Sequence, residues 1–366
     1  MMRVWTCLLL CLFLITGCCA AGEDTLREQA DALELDELER AAEEYLGEVD
    51  LVQGIDLNQG LEAIFETGSE QLHGVVQKAA RSGVLLLVIV LFCSMADGMS
   101  EIGQAKDGIS VATLVGAIAV AAVAVADIHA LIGLGREAIG RMETLSKVLV
   151  PAMAVVTAAA GAPASAAARQ LATMFFADVL LTVINRMLLP LVYAYVAAST
   201  ANAALGNEGV KKMAELIQWL VTSVLTVLLL LFVGYLSVSG VIAGATDAVA
   251  IKAAKFAVSG MVPVVGGILS DAAETVLAGA GILKNSVGVA GMLAVLAICV
   301  TPFLQLGVHY LAYKLTAALT ATVSEGRIAG LISAIGGAFG LVLGMTGSCA
   351  LLLLISAVSA ISMVVK

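Results

Sequence analysis

The run PVVGGILSDAAETVLAGAGILKNS, Pro263 to Ser286, places Asp271, Glu274, Lys284 and Asn285 in a chain otherwise apolar enough to dissolve in lipid. Ionisable side chains at membrane depth are functional candidates by default. Here they could line a pore or grip a partner. Together with Asp178 and Arg186, the two carboxylates could also surround a midplane transport site, which needs broken helices of the kind Pro190 and Pro263–Gly267 suggest. A purely local reading accounts for the same residues. Pro263 lacks a backbone donor and Gly266-Gly267 is permissive, so a helix ends there. Asp271 can then cap a new helix, with Glu274 completing a capping box. Lys284-Asn285 would close it, where a cation suits the helix dipole. The spacing therefore predicts a short amphipathic helix between two spans, preceded by Asp247, Lys252 and Lys255.

Other polar residues in apolar surroundings are sparse. Asp127 and His129 fall on different helix faces and predict the end of a span. Asp178 and Asn185, seven apart, share a face, with Arg186 close by as an ion partner. Gln305 and His309 share another, and His73 stands alone. None repeats as a proton relay would. The chain carries no HExxH, P-loop or nucleophile elbow, and no His or Cys cluster suits a metal. No enzyme activity and no cofactor are expected, and ATP-driven work would need a separate subunit.

The elements that position these residues follow from composition. The 366 residues are 60% hydrophobic and 13% charged, with a mean hydropathy of +1.02, against about one quarter charged in soluble chains. Several runs exceed the roughly 18 apolar residues of a membrane span. The expected fold is all-α, a polytopic helical membrane protein. Coarse spans are 79–96, 109–134, 148–160, 171–204, 217–241, 287–308 and 328–365. Asn185-Arg186 and Pro190 split the fourth, and Gly344 with Gly347-Ser348 interrupts the last, giving seven to nine crossings. Lys and Arg divide evenly between the two sides and set no orientation. Gly336-x-x-x-Gly340-x-x-x-Gly344 lays a smooth groove for close helix packing. Cys93, Cys299 and Cys349 lie within apolar runs as small hydrophobes.

The net charge of −10 is local, because 16 acids against two Arg lie between Glu23 and Glu70. Ahead of this segment, MMRVWTCLLLCLFLITGCCAAGED has the pattern of a secretory signal peptide cleaved after Ala21. Ile15-Thr16-Gly17-Cys18 also reads as a lipobox that would lipidate Cys18, and an uncleaved anchor is the third alternative. Cleavage or lipidation would export the acidic segment. Thr25-x-x-Glu28 reads as a capping box, and Leu26, Ala30, Leu33, Leu38, Ala41 and Tyr45 form an apolar stripe. A second helix is expected from about Leu61 to Ala80. The division is thus 1–21 signal peptide, 22–82 acidic extracytoplasmic helical segment, 83–243 first membrane group, 244–286 amphipathic segment and 287–366 second membrane group. No basic patch points to nucleic acid.

The run PVVGGILSDAAETVLAGAGILKNSVGVAG resembles the signature region of the stage III sporulation protein AE family of endospore-forming Firmicutes. GYLSVSGVIAGATDAVAIKAAKF before it and LAYKLTAAL after it are similar as well. Positions Asp247, Lys252, Lys255, Pro263, Gly266, Asp271, Glu274, Thr275, Lys284 and Asn285 match the family pattern. The resemblance implies a multi-pass protein of the mother-cell membrane that surrounds the forespore. It implies partners too, including a secretion-type ATPase and ring-forming subunits of an apparatus that builds a channel, or feeding tube, into the forespore. It carries over no catalytic residue. The function expected is a structural or conduit subunit of that apparatus, with a secondary transporter or permease for small metabolites as the alternative.

Overall fold

The computed structural model describes residues 26–47, 50–54, 56–100, 111–261, 266–323 and 326–361, apart from the side chains of 97–100, 111–112, 240–261 and 266–275. The leader, Thr25, Pro263 and Lys366 lie outside the described residues. Everything regular among those described is helical. A short helix over 26–32 leads into α1 (Asp36–Leu46). The long elements are α2 (Leu57–Ser100), α3 (Val111–Ala159), α4 (Pro163–Val183), a π-turn (Ile184–Leu188), α5 (Leu189–Leu205), α6 (Glu208–Met261), α7 (Gly266–Thr320) and α8 (Gly326–Ile361). Counting α4, the π-turn and α5 as one, six helices are long and apolar enough to cross a membrane.

The count is below the seven to nine expected, and each difference has a local cause. The polar stretch 136–147 reads as a connection in the sequence, yet α3 runs straight through it. Glu137 holds Arg141 at 2.6 Å and Glu143 holds Lys147 at 2.9 Å, both as i,i+4 pairs with the acid first, the stabilising order on a helix. Pro190 does not reverse the chain. It has no N–H for the carbonyl four residues back, and the helix widens into the π-turn, where the Leu189 N–H donates to Ile184 O. In α8, Ser348 Oγ returns its bond to Gly344 O at 2.8 Å and Gly347 packs against Phe303, so the helix continues. The expected helix 61–80 is the first half of α2, which enters the bundle without a break at Gly83, a residue seated against Thr316. The divisions drawn at 82/83, 243/244 and 286/287 all fall inside continuous helices.

Neighbouring contacts fix the order of the crossings. Tyr313 meets Gly336, Tyr310 meets Gly340, Phe303 meets Gly347 and Ile361 meets Gly288, so α7 and α8 form an antiparallel hairpin along their whole shared length. Gly60, Gly68 and Gly83 of α2 meet Leu293, Val300 and Thr316, which makes α2 parallel to α7. Gly291 meets Leu149 and Cys299 meets Met142, making α3 antiparallel to α7. Thr173 bonds Ser356 at 2.8 Å, and Phe176 packs on Phe232, which adds α4 and α6 in alternating direction. The result is an up-and-down bundle with the α7–α8 hairpin at its centre.

Tight connections close the ends. Gly206 takes φ +66° after α5, with its bare face against Arg327, and Asn207 Oδ1 accepts the N–H groups of Gly209 and Val210 to start α6. Asp56 Oδ1 accepts the Asn58 N–H at the start of α2.

Candidate functional site

Most residues singled out in the sequence fall in two places. Asp247, Lys252 and Lys255 lie on the helical extension of α6, and Asp271, Glu274 and Thr275 in the first turns of α7, with side chains outside those described. Gly266 opens α7. The short amphipathic helix is overturned. One helix of 55 residues runs from Gly266 to Thr320, about 80 Å at 1.5 Å per residue. Asp271 is therefore not its N-cap, and Lys284-Asn285 stand inside it. Nothing after Asn285 stops the helix. Gly288 and Gly291, which could have ended it, lie under Ile361 and Leu149 and serve packing.

Lys284 is buried, at 7% exposure, and lies near enough to Arg169 of α4, at 5%, for their charges to interact, while Asn285 faces outward. The same stretch of α7 is the seat of the acidic segment. Gly279 abuts the Gln29 side chain, and a Cβ on Gly54 would stand 3.8 Å from Ser286 Oγ. Leu35, Leu38, Ala42 and Leu51 are buried as α1 packs on α3 and α7. With three fully buried leucines, each contributing about 1.5–3 kcal/mol, this seat is a stable one. Leu26, Ala30, Leu33, Ala41 and Tyr45 of the expected apolar stripe join the same core. The Arg27–Asp50 pair and Glu39, which accepts the Leu51 N–H, fasten the loop after α1. Beside it, a cleft of about 670 Å³ opens between α2 and α7, bordered by Tyr45, Asp50, Asp56, Gln59, Leu293 and Thr301. No described group of His, Cys, Asp and Glu could hold a metal.

The remaining polar residues sort differently from their sequence pattern. Asp127 ends no span. It sits inside α3 and accepts the Tyr313 hydroxyl at 2.7 Å, while Tyr313 itself is fully buried against Phe339. His309 Nδ1 lies 2.8 Å from Gln305 O one turn back, and its ring packs on Phe339. Asp178, Asn185 and Arg186 are exposed, the latter two on the π-turn, and no described ion pair joins Asp178 to Arg186. Lys314 donates to Ser333 at 2.8 Å across the hairpin. The Asp127–Tyr313 and Lys314–Ser333 bonds were missed because each partner is unremarkable alone, and 186 residues separate the first pair.

Comparison with known proteins adds to this geometry. The family described as Stage III sporulation protein AE matches residues 49–364. The chain belongs to the stage III sporulation protein AE family. A protein of Bacillus subtilis (strain 168) named Stage III sporulation protein AE is 28% identical over 270 residues. That match covers 73% of this chain and 66% of the relative, so the chain spans a little under two thirds of the relative's length. No solved structure matches the chain. Family membership implies a role in sporulation, and six apolar helices suit a multi-pass membrane protein.

Proposed function

We propose that this chain is a non-enzymatic membrane subunit of the apparatus that joins mother cell and forespore, acting as a structural or conduit component in the membrane around the forespore. The family match over residues 49–364 is the observation that carries this reading. The architecture supports it. A hairpin of two small-residue-rich helices is wrapped by four further crossings and capped at one end by an acidic segment. That is a rigid platform with a charged face for other subunits, among them an ATPase and ring-forming proteins. The Asp247–Asn285 region would meet those partners from beside the seated acidic segment.

The transporter reading draws no support from the geometry. Its Asp178/Arg186 pair is not assembled among the described residues, and the helix around Pro190 widens without breaking. The test is affinity purification of the tagged chain from membranes of sporulating cells. Co-purification of the ATPase and ring-forming subunits, with loss of heat-resistant spores on deletion, is the expected result. Recovery of neither class, together with normal spores from the deletion strain, would sink the proposal.

A further inference from the structure

Three sulfur atoms converge where α3, α7 and α8 meet. Cys299 of α7 holds its Sγ 3.8 Å from Met142 Sδ of α3. In the central hairpin Phe303 meets Gly347 and Gly288 meets Ile361, a register that brings Cys299 level with Cys349 of α8. The two cysteine sulfurs are near enough to interact electrostatically. Met142 and Cys349 in turn border one small pocket. Each member of the trio therefore neighbours the other two. All three are buried, with 1% exposure for Met142 and 6% for each cysteine. Taken singly they pack as small or adaptable hydrophobes, and only the fold shows them together.

Spacing and surroundings suit a soft cation. Metal–sulfur bonds of about 2.3 Å around a trigonal ion put neighbouring sulfurs about 4 Å apart, close to the Cys299–Met142 separation. Thiolate and thioether donors together select Cu(I), whereas Zn²⁺ takes Cys, His and carboxylate. Hard ions such as Mg²⁺ need oxygen donors and give up water reluctantly. The pocket lies between α3, α4 and α8 and offers them little, because its border is apolar apart from Glu143 and Ser146. Its room, about 10 Å³, fits a single water-sized guest. Glu143 is partly exposed, so a carboxylate marks the side from which a cation can approach.

We infer that Met142, Cys299 and Cys349 form a binding site for one Cu(I) ion at the junction of α3, α7 and α8. Binding exchanges one thiol proton for the ion. A cysteine S–H bond breaks, a Cu–S bond forms, the proton leaves to solvent and no electron is transferred. The exchange keeps the buried site neutral, which avoids the cost of an uncompensated charge there. The second cysteine and the thioether complete the coordination as neutral donors. The filled site ties α3 to both arms of the central hairpin through one centre.

The experiment uses the full chain purified in detergent, with Cys7, Cys11, Cys18, Cys19 and Cys93 replaced by serine so that Cys299 and Cys349 are the remaining thiols. The probe is Cu(I) alone, delivered without oxygen from a chromogenic chelator that competes for it. One ion per chain is expected, with X-ray absorption showing sulfur neighbours at about 2.3 Å. Cys299→Ser and Cys349→Ser should each weaken binding about a hundredfold or more. Met142→Leu, which conserves side-chain volume, should weaken it about tenfold and carries the test if a serine variant does not fold. Because one proton is exchanged per ion, each unit fall in pH should weaken binding about tenfold. No bound copper, a coordination shell of nitrogen and oxygen, or equal affinity in all three variants overturns the inference. The measurement involves no other protein, so its failure leaves the co-purification test of the proposed function untouched.

Discussion

Helices α6 and α8 have nearly the same mean hydropathy over their most apolar windows, 2.5 and 2.3, yet 17% of the first window is buried and 56% of the second. Hydropathy alone would place either at the centre. Side-chain size separates them. The sequence GRIAGLISAIGGAFGLVLGMTGSCA lets α8 approach α7 backbone to backbone, whereas LTVLLLLFVGYL in α6 turns large side chains to the outside. Lipid tails are as apolar as Leu, so apolarity gives no reason to prefer a protein neighbour over a lipid one. Close packing of small residues does. The hairpin is central because it can be packed tightly, and α6 is peripheral because it cannot.

The widest test of this contrast places a charge on the outer helix. Leu230 is 67% exposed, and Leu230→Arg should cost about 3 kcal/mol if that surface meets lipid. The measurement is the amount of folded chain in the membrane fraction. Thr144→Arg, at an exposed position of α3 between Arg141 and Lys147, should leave that amount unchanged. Equal tolerance of the two would break the reading of α6 as lipid-facing.

The next effect is steric. At Gly336 a Cβ would stand 3.0 Å from Tyr313 Cβ, with the α7 backbone behind it, whereas a Cβ on Gly344 would meet nothing within 4 Å. Gly336→Leu should destabilise by about 2 kcal/mol through overpacking, and Gly344→Leu by less than about 0.5 kcal/mol. Unfolding in a graded denaturing detergent measures both. Similar losses at the two sites would mean that the glycine groove is not what centres the hairpin.

That pair also shows how far the sequence could be read. The glycine repeat was visible, but which of its members touches a neighbour depends on where α7 lies. Membrane crossing was legible because apolar length is a local property. Crossing number was not, because Pro190, the glycines at 344 and 347 and the polar stretch 136–147 look like breaks until helix continuity is seen. The stretch from Asp271 to Asn285 misled for a related reason. Its capping pattern is sound locally, yet the energy of a long packed helix outweighs a cap worth about 1 kcal/mol. What lay beyond reach was pairing between distant elements, such as the acidic segment on α7 or Asp127 on Tyr313.

The Asp127–Tyr313 bond joins the α3 wall to the central hairpin, and its removal should register next. Tyr313→Phe leaves a partly buried carboxylate without its donor, for about 1–2 kcal/mol on the same unfolding assay. Asp127→Asn keeps an acceptor for the hydroxyl and should lose less than half as much. If the order is reversed, the carboxylate is satisfied from outside the bundle and α3 is less firmly part of the core.

The smallest effect sits at the seam between shell and core, where Thr173 of α4 and Ser356 of α8 share a 2.8 Å hydrogen bond. Thr173 is fully buried and nearly isosteric with valine, so Thr173→Val removes the hydroxyl with little change of shape. Helix-to-helix hydrogen bonds in membranes average about 0.6 kcal/mol in double-mutant cycles, because the separated helices find other partners. A cycle of Thr173→Val with Ser356→Ala should therefore show a coupling near that size, and each single change should cost about as much as both together. The smallness is informative. A coupling near zero would mean that α4 is held to α8 by packing alone, as the shell reading allows at its limit. A coupling above about 1.7 kcal/mol would exceed the largest seen for such bonds and would make α4 a full member of the core. The division between a packed centre and a lipid-facing shell would then fall between α4 and α6, with Phe176 and Phe232 meeting at the boundary.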